Sequence, residues 1–481
     1  MAEKSEIETT QTEYDLSNDE EHQSALRSGK LKADIFVSGL CMIYYLLSFL
    51  DKANLGNAKV AGLTKDLNMS SFQYSLALTL LYIPYILVEI PANLLLKKIG
   101  ANILLPGFTF CFGLISFLQG FITNYAGLVI CRMFLGAAEG GLVPAIVLYM
   151  STFYRADEFQ LRASFLFAFA ALAGAFSGLL AAAIEQMDGV RGHPGWAWIF
   201  ILEGVFTCLF AILTAFLLAP NIEKAYWLNE REKRALIADF EASGRGAERH
   251  APFNWAEVWD AFKSPVVWLY APMFLFNGLI LFGMAYFQPT IVASLGYSST
   301  QTQLRSVPPY AVVFVVALIA SYYADKYKQR GLYISIMGIL ATIGYIINIA
   351  ASENKHARYA ALFFSTFGGY GASPALSAWL VDNVAPHYKR GTAIALCFIS
   401  TQVGGIISTW IYPSSEAPAY HTGSSVSLTA ALVVAVAPVA IVLTLHRANK
   451  LKARRRAELG PEISSPTGPL NDKDIGYVYI Y

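Results

Sequence analysis

Charged side chains are scarce in this sequence. Only 14% of its 481 residues are Asp, Glu, Lys or Arg, against 55% hydrophobic, a balance that excludes a soluble globular domain. Cysteine is sparse too: Cys41, Cys111, Cys131, Cys208 and Cys397 fall inside apolar runs, with neither CxxC nor histidine at ligand spacing. Neither a disulfide framework nor a zinc site is expected. The nucleotide-binding GxxxxGK motif, HExxH and GxSxG are all missing, and the one sizeable polar segment is too short for a catalytic domain. A nucleotide-driven pump and an enzyme therefore find no support. The first residues, MAEKSEIETTQTEYDLSNDEEH, lack an apolar stretch, so no cleaved signal peptide is expected and the first apolar run serves as signal anchor. No cofactor and no nucleic-acid partner are expected.

Long apolar runs are what the sequence has instead. They span Ile35–Asn57, Phe72–Leu95, Ile103–Phe121, Ala126–Tyr149, Ala163–Ile184 and Trp196–Leu217, then Val266–Ile291, Tyr310–Tyr323, Leu332–Ala351, Tyr359–Val381, Gly391–Tyr412 and Ser427–Leu445. A bilayer crossing takes ~20 apolar residues as a helix. These runs are continuous and helix-length, unlike the short alternating segments of a membrane β-barrel. The fold class expected is an all-α membrane protein with twelve transmembrane helices in two six-helix, pseudo-symmetric halves. Basic residues crowd one side: Lys97, Lys98, Arg155, Arg162, the cluster from Lys224 to Lys263, Lys326, Lys328, Arg330, Lys389, Arg390 and the run Arg447 to Arg456. The other side has scattered members such as Lys59, Lys65, Arg191, Arg305, Lys355 and Arg358. The positive-inside rule then puts both termini in the cytoplasm. The expected organisation is a disordered cytoplasmic tail at 1–32, one half at 33–219, a cytoplasmic loop with a surface amphipathic helix at 220–264, a second half at 265–446 and a tail at 447–481.

Two charged pairs interrupt the apolar runs. A charge at the centre of a membrane helix costs roughly 2.5–3.5 kcal/mol even on insertion scales, so such groups mark a polar pathway. Asp51 and Lys52 follow a run, Ile35–Leu50, too short to cross the bilayer alone, so the helix is expected to continue through them. The alternative is that it emerges there and both are solvated. Arg132 and Glu139 stand seven residues apart, on nearly one helical face and about 10 Å apart in rise. They can line one cavity or, alternatively, lock helix four to its neighbours. Gly136 and Gly140 beside them allow a neighbouring helix to approach closely.

The halves also echo each other. NLLLKKIGAN (93–102) matches SYYADKYKQR (321–330), and Tyr154-Arg155 matches Tyr388-Lys389-Arg390. Such an internal repeat suits two halves with a substrate site near mid-membrane between them. The stretches LDKANLGNA (50–58), YIPYILVEIPANLLLKK (82–98), CRMFLGAAEGG (131–141), GWAWIFILEG (195–204), FQPTIVASLGY (287–297), LRSVPPYAV (304–312) and the region 379–390 resemble the fungal allantoate and nicotinate permease group. That group belongs to the anion:cation symporter family of the major facilitator superfamily, and the likeness runs from about residue 31 to 447.

The resemblance implies proton symport of a small organic anion across the plasma membrane, with the proton gradient as energy source. It implies proton coupling by Asp51 and Glu139, anion binding by Arg132 and Lys52, and a cytoplasmic gate at Asp325 and Lys326. Lys52 departs from the family's usual arginine, and a lysine offers a point charge without a bidentate fork. Gln402 stands where the family has asparagine before Gly404-Gly405. Tyr82, Asn277, Tyr370 and Gln402 are the further residues expected to shape the substrate site, or else to hydrogen-bond neighbouring helices; Glu89 and Glu203 are read as structural or gating groups. An exchanger or uniporter, a permease for a vitamin, dicarboxylate or peptide, and a non-transporting nutrient sensor are the alternatives. The lipid bilayer, the anion and the proton are the expected partners; the sequence leaves the oligomeric state open and is compatible with a monomer.

Overall fold

The computed structural model describes residues 20–242, 254–351, 353–459 and 471–481, and among these there is no strand. Lipid offers no partner to backbone N–H and C=O groups, so apolar runs of this length close their hydrogen bonds within helices. The first six are α1 (Glu20–Val60), α2 (Ser71–Ile99), α3 (Ala101–Gln119), α4 (Tyr125–Ser151), α5 (Ala156–Ile184) and α6 (Gly195–Leu217). Two short helices, α7 (Glu230–Ala242) and α8 (Trp255–Lys263), lie in the connection. The second set is α9 (Pro265–Ala293), α10 (Ser299–Tyr327), α11 (Arg330–Ala350), α12 (355–382), α13 (His387–Ser408) and α14 (His421–Leu459). Short polar turns start several of them: Ser70 and Gln73 cap α2 reciprocally, and Asn124, Ser298 and Asn354 accept backbone N–H groups at the starts of α4, α10 and α12.

Eleven helices among the described residues are long and apolar enough to cross a membrane. The expected span Tyr359–Val381 is not one of them. It is built from Lys355–Thr366 and Ala372–Asp382 joined by a π turn, Phe367–Gly371, where three glycines in FGGYG loosen the ladder. The expected disordered tail, 1–32, differs over 20–32, while 1–19 lie outside the described residues. From Glu20 onward the chain is helical and continuous with α1, because it has partners: Ser28 and Lys32 bond Glu232 of α7 at 2.6 and 2.8 Å, and Lys30 meets Glu158 and Asp239 at 2.6 and 2.9 Å. Burial opposes ionisation of Asp239, yet the hydrogen bonds of Lys30 and Arg155 hold its carboxyl below the ordinary value. At the other end, helix α14 runs on to Leu459 and the segment 471–481 packs back onto the bundle. The end of the bundle carrying the start of α1, the connection and residues 471–481 is called the tail face below, and the opposite end the far face.

Close backbone approach sets the packing of α4. A Cβ at Gly136 would overlap the Leu81 carbonyl of α2, and one at Gly140 would stand 2.5 Å from the Tyr85 carbonyl. Gly136→Val is therefore expected to abolish the monodisperse peak of the fluorescent-tagged protein in size-exclusion chromatography. Gly107→Val, at a position with no heavy atom within 4 Å of the added Cβ, should leave the peak unchanged.

The two sets of helices meet most closely toward the far face. A Cβ at Gly56 of α1 would lie 2.6 Å from the Tyr286 carbonyl of α9. Thr79 of α2 bonds Thr409 and Trp410, just past α13, at 2.8 and 3.0 Å, and Gln303 of α10 donates to the Asn57 carbonyl at 3.2 Å. Toward the tail face the helices leave an apolar cleft lined by residues that include Phe159, Phe167, Phe274, Leu380, Ile394 and Phe398.

Candidate functional site

The two charged pairs singled out above come together in the first set of helices. Asp51 and Lys52 lie inside α1, as the short run before them implies, and are 1% and 2% exposed; Arg132 and Glu139 of α4 are fully buried. Their pairing is crossed. Arg132 Nη1 lies 3.4 Å from Asp51 Oδ2, while Lys52 Nζ donates to Glu139 Oε2. The two acids and two bases sum to zero, which is the arrangement a low-dielectric interior tolerates. Glu139 and Arg132 face the same way on α4, and the long lysine and arginine arms cover the offset between them. Ser116 of α3 donates to Asp51 Oδ1 at 2.9 Å, and Lys52 also donates to Ser48 Oγ at 3.0 Å. Phe200 of α6 lies under the Arg132 guanidinium, and Phe49 and Tyr85 flank the Lys52 ammonium.

This cluster is under-satisfied. Arg132 Nε and Nη2 and Glu139 Oε1 are buried without a hydrogen-bond partner among the described residues. Leaving such groups unmatched costs about 1–3 kcal/mol each, more when charged. Two donor nitrogens of a planar fork and one carboxylate oxygen thus remain open in a tetrad whose formal charges sum to zero. Glu89 of α2 and Glu203 of α6 are also buried, and Glu89 Oε2 and both Glu203 oxygens have no hydrogen-bond partner among the described residues.

The other expected residues divide. Tyr82 of α2 reaches across to the second set of helices, its hydroxyl 2.9 Å from that of Tyr286 on α9, with Phe282 packed edge-on. Tyr286 was not anticipated, because only the contact between halves distinguishes it from other tyrosines in apolar runs. Asn277 is fully engaged: its Nδ2 donates to the Gly368 and Gly369 carbonyls at 2.8 and 3.1 Å, and its Oδ1 accepts from Ser373 at 2.8 Å. It ties α9 to the π turn of α12. Tyr370 is buried in that turn against Tyr310, ring centroids 5.1 Å apart. Gln402 of α13 is 5% exposed and its Oε1 has no partner among the described residues. The Asp325 side chain lies outside the described residues; Lys326 is exposed, its ammonium 5.9 Å from the Tyr327 ring. Beside them sequence reasoning missed a buried ion pair, Arg330 Nε to Asp382 Oδ2 at 2.9 Å. It also missed a polar chain in which Asn57 donates to Ser177 at 2.5 Å and Ser177 to Asn54 at 3.1 Å. Charged or amide residues at the ends of apolar runs were the available signal for both.

Comparison with known proteins agrees with this architecture. The family model described as Major Facilitator Superfamily matches residues 41–409. An uncharacterized transporter of Schizosaccharomyces pombe is 35% identical over 93% of this chain and 89% of its own length. The high-affinity nicotinic acid transporter of Saccharomyces cerevisiae is 31% identical over 100% of this chain and 90% of its own. Among solved structures, a bacterial homologue of the lysosomal transporter Spinster, inward-facing and unoccupied, superposes with a TM-score of 0.65 at 14% identity, over 85% of this chain and 96% of that one. The partially occluded, inward-open xylose transporter XylE of E. coli gives 0.64 at 14% identity, over 84% and 97%. With its helices, its paired halves and these relatives, this chain belongs to the Major Facilitator Superfamily and is a multi-pass membrane transporter rather than an enzyme.

Proposed function

We propose that the protein imports a small organic monocarboxylate, of the nicotinate or allantoate kind, by proton symport with alternating access. The observation that carries this reading is the crossed tetrad of Asp51, Lys52, Arg132 and Glu139, neutral in sum, in which two donor nitrogens of Arg132 stay open among the described residues. A carboxylate leaves water only for a cation. If the anion takes Arg132, a proton on Glu139 or Asp51 restores the zero net charge, so anion and proton enter together. Lys52 supplies a second positive end, and Tyr82, Tyr286 and Gln402 offer neutral polar surface for the remainder of the molecule. The nicotinic acid transporter among the relatives supports the choice of substrate class. In this reading the tail face is cytoplasmic, the membrane is the plasma membrane, and Asp325 and Lys326 act at the cytoplasmic gate.

The test is uptake of radiolabelled nicotinate and allantoate into proteoliposomes under an imposed pH gradient. Accumulation should require acid outside and collapse with a protonophore. Nicotinamide should compete at least about tenfold less well than the acid, since it forfeits a charge-assisted contact. Glucose, glycerol 3-phosphate and citrate should not compete. Uptake that ignores the pH gradient but is stimulated by internal substrate would replace symport with exchange, and selective inhibition by citrate or the phosphate ester would overturn the substrate class.

A further inference from the structure

The segment Asn471–Tyr481, read from the sequence as part of a tail, lies on the tail face in a groove formed by α11, α12, α13 and α14. Two asparagines grip its backbone. Asn383, just past α12, donates to the Ile480 carbonyl at 2.9 Å and accepts from the Ile480 N–H at 2.8 Å. Asn449 of α14 does the same to Tyr479, with both bonds 2.9 Å. An asparagine amide that satisfies both main-chain groups of one residue imitates a neighbouring strand, the general means by which proteins hold extended peptides. Trp379 Nε1 adds a bond to the Ile480 carbonyl and the Arg330 N–H one to the Tyr481 carbonyl, both 2.8 Å.

Side chains fix the register of the segment. Lys389 of α13, fully buried, bonds Asp472 at 2.7 Å and also meets Asp260 of α8 at 2.8 Å. Burial raises the Asp472 carboxyl against the opposing bond from Lys389. Tyr477 donates its hydroxyl to the Asp382 carbonyl at 2.5 Å, and Lys452 donates to the Tyr477 carbonyl at 3.2 Å. The groove therefore reads an acidic residue at one end and an extended, tyrosine-rich stretch at the other.

Several of these contacts fall on one element of α12. Trp379, Asp382 and Asn383 belong to, or directly follow, Ala372–Asp382, the part of α12 beyond its π turn. The same part presents Ser377, Ala378, Leu380 and Val381 to the apolar cleft between the halves. We propose that the groove is a peptide-binding site whose resident ligand is the chain's own segment 471–481, bound reversibly, and that its occupancy pins the tail-face part of α12 and keeps the cleft open. Tethering in cis raises the local concentration of such a ligand to about millimolar, which keeps a modest intrinsic affinity saturated yet displaceable.

The experiment uses the full chain with a specific protease site inserted within residues 460–470. A fluorescent synthetic peptide, NDKDIGYVYIY, is titrated before and after cleavage and removal of the released segment. Saturable binding to the cleaved protein alone is expected, and Asn383→Ala or Asn449→Ala should each weaken it about tenfold through loss of two backbone bonds. A Val381→Cys probe, in a background without the five native cysteines, should label more slowly after cleavage and regain its rate when peptide is added. No binding to cleaved protein that remains monodisperse would overturn the groove, and equal binding before cleavage would overturn the resident ligand. Labelling indifferent to the peptide would overturn the pinning of α12. None of these readouts depends on which solute is carried.

Discussion

Arg132→Gln is expected to lower saturable uptake of the carboxylate substrate by about 30-fold or more, since truncating one partner of a buried, hydrogen-bonded charge pair costs about 2–5 kcal/mol. The guanidinium is fully buried, holds Asp51 with one N–H at 3.4 Å and leaves Nε and Nη2 open. Glutamine keeps a donor but no charge, so neither Asp51 nor an incoming anion is neutralised. A fall in surface expression is expected as well, because Asp51 is then buried with Ser116 as its remaining hydrogen-bond partner among the described residues. Asp51→Asn combined with Arg132→Gln separates the two effects. It removes the stranded charge and should recover expression toward wild type while leaving uptake absent. Arg132→Lys should retain a measurable fraction of uptake with a raised KM, because charge survives and the planar fork does not. If Arg132→Gln transports the acid with a normal KM at normal expression, the anion is received elsewhere.

Much of this site was legible in the sequence, for a reason that belongs to membranes. In an apolar run a charge stands out, so Asp51, Lys52, Arg132 and Glu139 could be singled out singly, and helical geometry alone put Arg132 and Glu139 on one face. The crossed pairing could not be read, because it depends on how far α1 and α4 slide past each other, which no spacing within either helix reveals; the glycines at 136 and 140 announce only the close approach of α4 to α2. Asn277 shows the opposite limit. A lone amide in an apolar run could as well serve a ligand as a neighbour, and carbonyls freed by the π turn at Gly368 and Gly369 claim it. The same turn removed Tyr359–Val381 from the regular helices. The start of α1 and the segment 471–481 were read as tails because polar composition reveals nothing of partners distant in sequence. Ser28 and Lys32 recur at helical spacing toward Glu232, and three tyrosines within five residues at 477–481 are unusual for a solvated tail. Both were signals that composition alone leaves unused.

Glu139→Gln is expected to abolish accumulation driven by the pH gradient, bringing the internal-to-external substrate ratio to one, while exchange of labelled for unlabelled substrate continues. Glu139 ends the first segment of α4, immediately before the Gly140-Gly141 break, and one of its oxygens holds the Lys52 ammonium while the other has no partner among the described residues. A proton at that carboxyl would release Lys52, and its departure would recapture it, so the acid couples proton occupancy to the availability of a cation. Glutamine fixes the protonated analogue. The cation is then permanently available, which permits binding and exchange but removes the dependence on protons. Removing one partner of a buried pair also costs about 3–5 kcal/mol in stability, so a lower melting temperature should accompany the single substitution. Lys52→Met together with Glu139→Gln should restore that temperature without restoring accumulation, which distinguishes a coupling role from a merely structural one. Concentrative uptake by Glu139→Gln at normal surface level would remove this carboxyl from the mechanism and leave Asp51 as the acid to test by Asp51→Asn.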